Sequence, residues 1–581
     1  MTVSPSASPR IVVIGAGVGG LAAAALLARG GAAVTLLERH PLVGGRASLL
    51  EIDGYRWDTG PSWYLMREAF DQFFALMGTS TAAQLDLIDL DPRYRVYFEG
   101  DDAGGPAESL DVVADPDANY ALFNRMSPGD GDAMRAYAAE SKELYDLALD
   151  RFLYTTFERP DKVANARVVR RLPMLASLLT RSLGSKVAKR VRDERLRKIL
   201  GFHAVFLGSS PKRAPSLFSL MSHLDLTDGV RYPRGGMYEV IRALERVALA
   251  EGVEIRTSTN VARIVVGDDG LASGVELDSG EVLAADVVVS GADMHHTETE
   301  LLDAPHQWQP ERRWKRRSPG VSALLVFAGV RGELPELAHH TLFFSRDWEA
   351  NFAKIVGGGE LEPPFPASVY VSRVTPTDPG SAPAGHENLY MLVPFPADAS
   401  LGATPDSRAT LEDYAWRYLD QVAAWASIPD LRERTTLYRV TAPHDFATEL
   451  STWRGSALGL EHTVRQSAMF RPGNASPVVP NLMYVGSSTV PGIGMPICLI
   501  SAELVAKRLL GATGVSPLPT PAPPGFLSRS VRRDVLGRIA RGEGQRPGGE
   551  GRGLSGVGHR ANREGHRATG EVHRATGEGR A

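Results

Sequence analysis

Gly15, Gly17 and Gly20 stand at the G-x-G-x-x-G spacing, and Glu38 follows eighteen residues after the last of them. Glycines so placed allow a tight turn, a close approach of backbone to a pyrophosphate and close packing of helix on strand. An acid at that distance accepts hydrogen bonds from a ribose hydroxyl. The chemistry is therefore nucleotide binding. What must position it is a strand (Ile11–Ile14), a helix opening at the glycines, whose free N–H groups face phosphate, and a second strand (Ala33–Leu37). The eighteen uncharged residues Ile11–Ala28 are long enough to flag a membrane span, yet the glycine spacing reads them as strand, turn and helix.

Beyond Glu38 and Arg39, residues 38–62 read ERHPLVGGRASLLEIDGYRWDTGPS. A nicotinamide-binding unit is not expected to carry Gly44-Gly45-Arg46. The paired glycines let the chain pass close to a bulky ligand, and Arg46 offers a planar, multi-donor group to phosphate. With Gly60-Pro61 placed to line a flavin, the chain here resembles the flavoprotein superfamily of amine oxidases and carotenoid desaturases, which implies FAD.

Far along the chain, Asn481–Pro496 (NLMYVGSSTVPGIGMP) reads as a strand, a Gly/Pro turn and the start of a helix, Ile497–Leu510, a second cradle of backbone N–H groups. It is similar to the C-terminal motif of bacterial-type phytoene desaturases, as are YPRGGM (232–237), GADMHHTETELL (291–302), LAHHT (337–341) and QSAMFRP (466–472). The resemblance runs from residue 10 to about residue 510. It implies FAD held noncovalently by Gly15, Gly17, Gly20, Glu38, Arg39, Gly45, Arg46, Gly60, Pro61, Val261, Gly486, Met495 and Pro496, with Val261 at the adenine. It also implies a hydrophobic polyene substrate, phytoene converted stepwise toward lycopene, and electrons passed to oxygen or a quinone. A flavin can take a hydride, and an allylic cation gives up its proton to a weak base or water, so no tuned acid/base pair is required and no catalytic residue is named. The alternatives are another carotenoid-modifying flavoenzyme (apophytoene desaturase, ketolase or isomerase), an amine oxidase, or a lipid-binding escort protein.

The expected class is α/β: a Rossmann-like FAD-binding domain, discontinuous in sequence (10–67, 228–296, 476–512), intertwined with an α+β substrate and membrane-facing domain (68–227, mostly helical before 226, and 297–475). Residues 1–9 are expected to be a disordered leader and 513–581 a Pro-rich linker and disordered basic tail. At 581 residues the chain is too long for one core. The N-terminus lacks the basic and apolar regions of a signal peptide, which points to a cytoplasmic protein attached peripherally to the inner face of the cell membrane.

Charge bears on that attachment. Lys162–Lys198 holds twelve Lys/Arg against two Asp/Glu with aliphatic residues interleaved, a pattern suited to anionic lipid. In the tail, Leu527, Val531, Val535 and Ile539 at helical spacing offer a second lipid contact, after which the composition cannot bury a core. Without interleaved aromatics the basic stretch is not read as a nucleic-acid site. Cys498 is the only cysteine, and His295-His296 and His339-His340 lack a ligand framework, so no metal is expected.

Overall fold

The computed structural model describes residues 8–527 except 101–106, 164–165 and 357–361. Its organising element is a five-stranded parallel sheet in the order Leu482–Tyr484, Val287–Ser290, Arg10–Ile14, Ala33–Leu37, Glu254–Arg256, with Ile11 beside Val287 and Ile14 beside Leu37. The inner strands are runs of Val, Ile and Leu because both faces are covered. On one face lie the opening helix Val18–Arg29, the helix Tyr238–Ala250 and the closing helix Met495–Leu510. Ala22–Ala25 are all fully buried, so small side chains let the opening helix approach both neighbours. The apolar run Ile11–Ala28 is thus covered by protein. The other face packs against the antiparallel strands Val261–Val266 and Ala272–Leu277.

A seven-stranded sheet is the second framework, in the order Thr435–Thr441, Ser322–Arg331, His386–Phe395, Val369–Ser372, His340–Phe344, Tyr94–Phe98, Glu108–Val112. The long helix Pro405–Ala426 backs it. Residues 68–225 are mostly helical, as expected, with three strands among the helices. Leu87–Asp89, Tyr94–Phe98 and Glu108–Val112 are strands, and Tyr94–Phe98 pairs in parallel with His340–Phe344, a partner far away in the chain.

The Lys162–Lys198 stretch breaks into four helices, Pro160–Val163, Ala166–Thr180, Leu183–Ala188 and Glu194–Gly201. Several of its cations pair with acids while mostly staying at the surface: Arg171 with Glu143, Lys186 and Arg190 with Glu140, Arg192 with Asp130, and Arg195 with Asp193 and Glu108. Lys198 is buried against the carbonyls of Ser345 and Arg346. These pairs engage part of the charge expected to meet lipid, while Arg170, Arg181 and Lys189 stay exposed.

The expected boundaries at both ends also shift. Pro9 accepts a hydrogen bond from Ala33 N, so the sheet's contacts begin inside the supposed leader. After the closing helix, the Pro-rich segment is packed. Lys507 is buried among the carbonyls of Tyr154, Gly514 and Ser516, the Glu503 carboxylate accepts from Leu518 N, and Leu527 is 1% exposed in the core beside the opening helix. Leu527 therefore cannot serve as a lipid contact, while Val531, Val535, Ile539 and the rest of the tail lie outside the described residues.

Candidate functional site

At the opening turn Gly15 has φ +87°, and a Cβ on Gly20 would lie 1.9 Å from Gly15 O, so neither position tolerates a side chain. Gly17 meets the chain again at Gly44, whose N–H donates to Ala16 O at 2.9 Å. Gly17 caps the opening helix without a side-chain acceptor, and the first turn has no acid. Its N–H groups are left for an anion. Glu38 is buried at the end of its strand, accepting from Ala16 N at 2.8 Å and from His40 N at 3.0 Å. It thereby braces the cradle as well as offering its remaining lone pairs to a ribose. Arg39 turns away, donating to Ser451 Oγ at 2.8 Å and Thr448 O at 2.7 Å. Val261 opens its strand in the core on the sheet's opposite face.

Gly44 and Gly45 take φ of +124° and +57°, and they swing Arg46 toward the second glycine turn. Its guanidinium donates to Ser487 Oγ at 3.3 Å and reaches Asp293 Oδ2 at 3.5 Å, while Nε is buried with no hydrogen-bond partner. Asp293 also caps the helix Met294–Thr299 through His295 N and meets Ser488 Oγ at 3.4 Å. Gly60 is obligatory, since a Cβ there would lie 2.2 Å from Arg46 O; Pro61 follows. In the closing turn Gly486 and Gly494 have φ of +107° and +117°, and Gly494 leads into Met495 and Pro496 at the start of a helix again without a side-chain cap or a first-turn acid. Two uncapped helix starts thus converge with an unpaired guanidinium nitrogen. A cradle that a Cβ would fill and an orphaned buried donor fit a dinucleotide, and the residues fit FAD.

Two residues of this region went unnoticed in the sequence. Asp293 was overlooked beside the more conspicuous histidines of GADMHH. Arg471, in QSAMFRP, is buried and donates to the carbonyls of Leu460, Gln466, Ser487 and Thr489, with no carboxylate among these partners. Burial lowers it to about 9. Its bonds fix the turn that Arg46 faces.

Past Gly60 the surroundings become aromatic. The Trp63 ring stacks on His340 at 4.8 Å and is ringed by Tyr94, Phe202, Phe206 and Tyr370 at 5.4–6.4 Å. Tyr390 donates to Gly60 O at 3.3 Å. His340 Nδ1 meets Tyr370 OH at 2.8 Å, His339 Nδ1 meets Thr377 Oγ1 at 2.8 Å, and both Nε2 atoms are buried without partners. Burial lowers His339 to about 3 and holds His340 well below the usual imidazole range. The other pair lies elsewhere: His295 Nε2 meets Glu311 at 2.9 Å, and burial lowers His296. Among the described residues no group of three or more His, Cys, Asp or Glu is placed to hold a metal ion.

Comparison with known proteins places this geometry. The family described as flavin containing amine oxidoreductase matches residues 18–510. The chain is 36% identical over 502 residues to a carotenoid 3,4-desaturase of Haloarcula japonica, covering 86% of this chain and 98% of the relative. It is 35% identical over 519 residues to a zeta-carotene-forming phytoene desaturase of Myxococcus xanthus, covering 88% and 96%. Among solved structures, putrescine oxidase bound to putrescine superposes with a TM-score of 0.56 at 16% identity, covering 87% of this chain and 99% of that one, a likeness of fold.

Proposed function

Because the chain belongs to the flavin-containing amine oxidoreductase family, with FAD as its cofactor, we propose that it is an FAD-dependent carotenoid desaturase acting on CH–CH groups of a polyene. The observation that carries the reading is the 36% identity over 98% of a carotenoid desaturase. FAD, when bound, accepts the hydride. The residues proposed to hold it are Gly15, Gly17, Gly20 and Glu38 at the pyrophosphate and ribose, Val261 toward the adenine side, and Gly45, Arg46, Gly60, Pro61, Gly486, Met495 and Pro496 toward the flavin; Arg39, engaged by Ser451 and Thr448, is not among them. The central sheet and its helices form the FAD unit, and the seven-stranded sheet with its helices forms the substrate unit.

Phytoene, desaturated stepwise toward lycopene with electrons passed to oxygen or a quinone, is the first substrate reading. The relationship to a 3,4-desaturase favours a second: a carotene already partly desaturated. Expression in cells that accumulate phytoene, and separately in cells that accumulate lycopene, followed by pigment spectra, tests both. New absorbance at longer wavelength in one host identifies the substrate, and unchanged pigment in both, with flavin bound, overturns the reading.

A hydrophobic polyene resides in lipid, so we propose peripheral attachment to the inner face of the cell membrane. No described helix is long and apolar enough to cross a bilayer. The described surface that supports attachment is the loop at 464–470, where Val464, Met469 and Phe470 are 38%, 61% and 58% exposed beside Arg465. Apolar side chains flanked by a cation suit a headgroup boundary. Arg471 ties this loop to the closing glycine turn.

A further inference from the structure

Desaturation removes a proton as well as a hydride, and the walls beyond Gly60 offer few groups to receive it. His339 and His340 are desolvated, burial pushes Tyr232, Tyr370 and Tyr390 up, and Asp378 is engaged by Arg56 at 2.6 Å. Asp58 differs. It ends the strand Tyr55–Asp58, two residues before Gly60, and its oxygens accept from Tyr238 N at 2.8 Å and Met237 N at 2.9 Å, with no cation bonded to them. It lines a cavity of about 20 Å³ together with Arg56, whose charge favours the carboxylate, and Ser62, Tyr232, Ser372 and Tyr390. Ser372 Oγ, on that wall, is buried with no protein hydrogen-bond partner. A cavity of this size with several polar walls has room for one water.

We propose that a water in this cavity carries the proton released by desaturation to the Asp58 carboxylate, making Asp58 a positioning residue for proton exit beside the Gly60–Trp63 turn. The proposal rests on the desaturase reading. In the step, one C–H electron pair departs with the hydride, which FAD accepts. The neighbouring carbon gives its proton to the water, and the electron pair left behind becomes the new C=C bond. The water passes one of its own protons to Asp58, so a carboxylate becomes a carboxylic acid and the water is regenerated. Burial raises Asp58 to about 6, which leaves it ionised at neutral pH and able to return the proton to solvent. The two N–H groups at the start of the helix Tyr238–Ala250 favour the anion and reset it.

The rival account is that Asp58 merely caps that helix. Asp58→Asn keeps a capping oxygen but cannot take a proton, and Ser372→Val fills the cavity while leaving the cap intact. Product formed per bound flavin, its pH profile and its solvent deuterium isotope effect are measured in phytoene-loaded or lycopene-loaded liposomes, whichever the wild type converts. With FAD occupancy retained, Asp58→Asn should slow product formation by about a hundredfold or more and abolish the wild-type decline below about pH 6, the range where burial sets Asp58. Asp58→Glu should recover part of the rate, and Ser372→Val should be slowed with a reduced isotope effect. Infrared titration of the apo-protein should show a protonated carboxyl band growing in near the same pH, missing in Asp58→Asn. An active wild type with Asp58→Asn at full rate, or with the same pH profile, overturns the proton role alone. A wild type that converts neither carotene overturns the desaturase reading and the proposal with it.

Discussion

At the pyrophosphate cradle the groups that face a ligand are mostly backbone N–H groups at two uncapped helix starts. Around Trp63 the packed groups are side chains brought from five separate stretches: Asp58–Trp63, Tyr94, Phe202–Phe206, His339–His340 and Tyr370–Tyr390. The first construction tolerates almost no side-chain volume and presents dipoles. The second is filled with rings and withholds charge, to the point of keeping two imidazoles neutral. A phosphate needs donors at fixed distances. Packed rings need none, so the two regions obey different rules.

The sharpest way to break this comparison is Gly20→Ala. Its methyl would lie 1.9 Å from Gly15 O, so the turn must open and the purified protein should lose its flavin absorbance. Full flavin occupancy would mean that the cradle does not depend on missing side chains. Next in size is lipid binding, which separates an apolar loop from a basic face. Met469→Ser with Phe470→Ser should weaken co-sedimentation with anionic liposomes at least about tenfold, on roughly 25 cal/mol per Å² of apolar area. Reversing Lys189, Arg190 and Arg197 to Glu should have the smaller effect, since Arg190 already pairs with Glu140 and Arg197 donates to Val191 O. The opposite ranking would return attachment to the basic helices.

A third prediction concerns charge withheld from the rings around Trp63. His339 sits near 3 when folded against 6.5 when free. Its contribution to stability is whole above the free value and declines as pH falls toward 3, by about 1.4 kcal/mol per pH unit. Asp58, raised to about 6, acts in the opposite sense and stabilises the fold as pH falls from there. Urea midpoints at about pH 7.5 and about pH 5.5 should differ less in His339→Gln than in the wild type, and an unchanged difference would show that His339 is not desolvated. The smallest expected effect is Tyr390→Phe. Removing its bond to Gly60 O should lower stability by about 1 kcal/mol and leave flavin occupancy intact, whereas flavin loss would join the two regions into one.

The same contrast explains what could be read from the chain. Gly15, Gly17, Gly20, Glu38 and Arg46 are legible because their work is local: a φ, a helix start, a strand end. Asp293 and Arg471 lie in recognisable motifs, but their roles depend on contacts with Arg46 and with the carbonyls of Ser487 and Thr489, which no spacing announces. Asp58 drew no notice, since its partners are N–H groups 179 and 180 residues away. The strand Tyr94–Phe98 went unread within a mostly helical stretch because its partner His340–Phe344 lies more than 240 residues further along. The ion pairs of the basic stretch were not legible either: its acidic partners, Glu140, Glu143 and Asp130, come from the preceding helix Asp130–Arg151.

The order of strands in the central sheet has a consequence for how the protein is made. Arg10–Ile14 leaves the ribosome first, yet one neighbour is Val287–Ser290, and the opening helix is covered by Met495–Leu510 and finally by Leu527. At roughly 5–20 residues per second, the most apolar segment of the nascent chain waits about half a minute or longer for that cover. The expected consequence is late closure of the cradle, after the covering helix has been made. Chains stalled before Met495 should leave the opening segment open to protease, with protection appearing only once Leu527 has emerged. Early protection would mean that the first βαβ unit closes by itself.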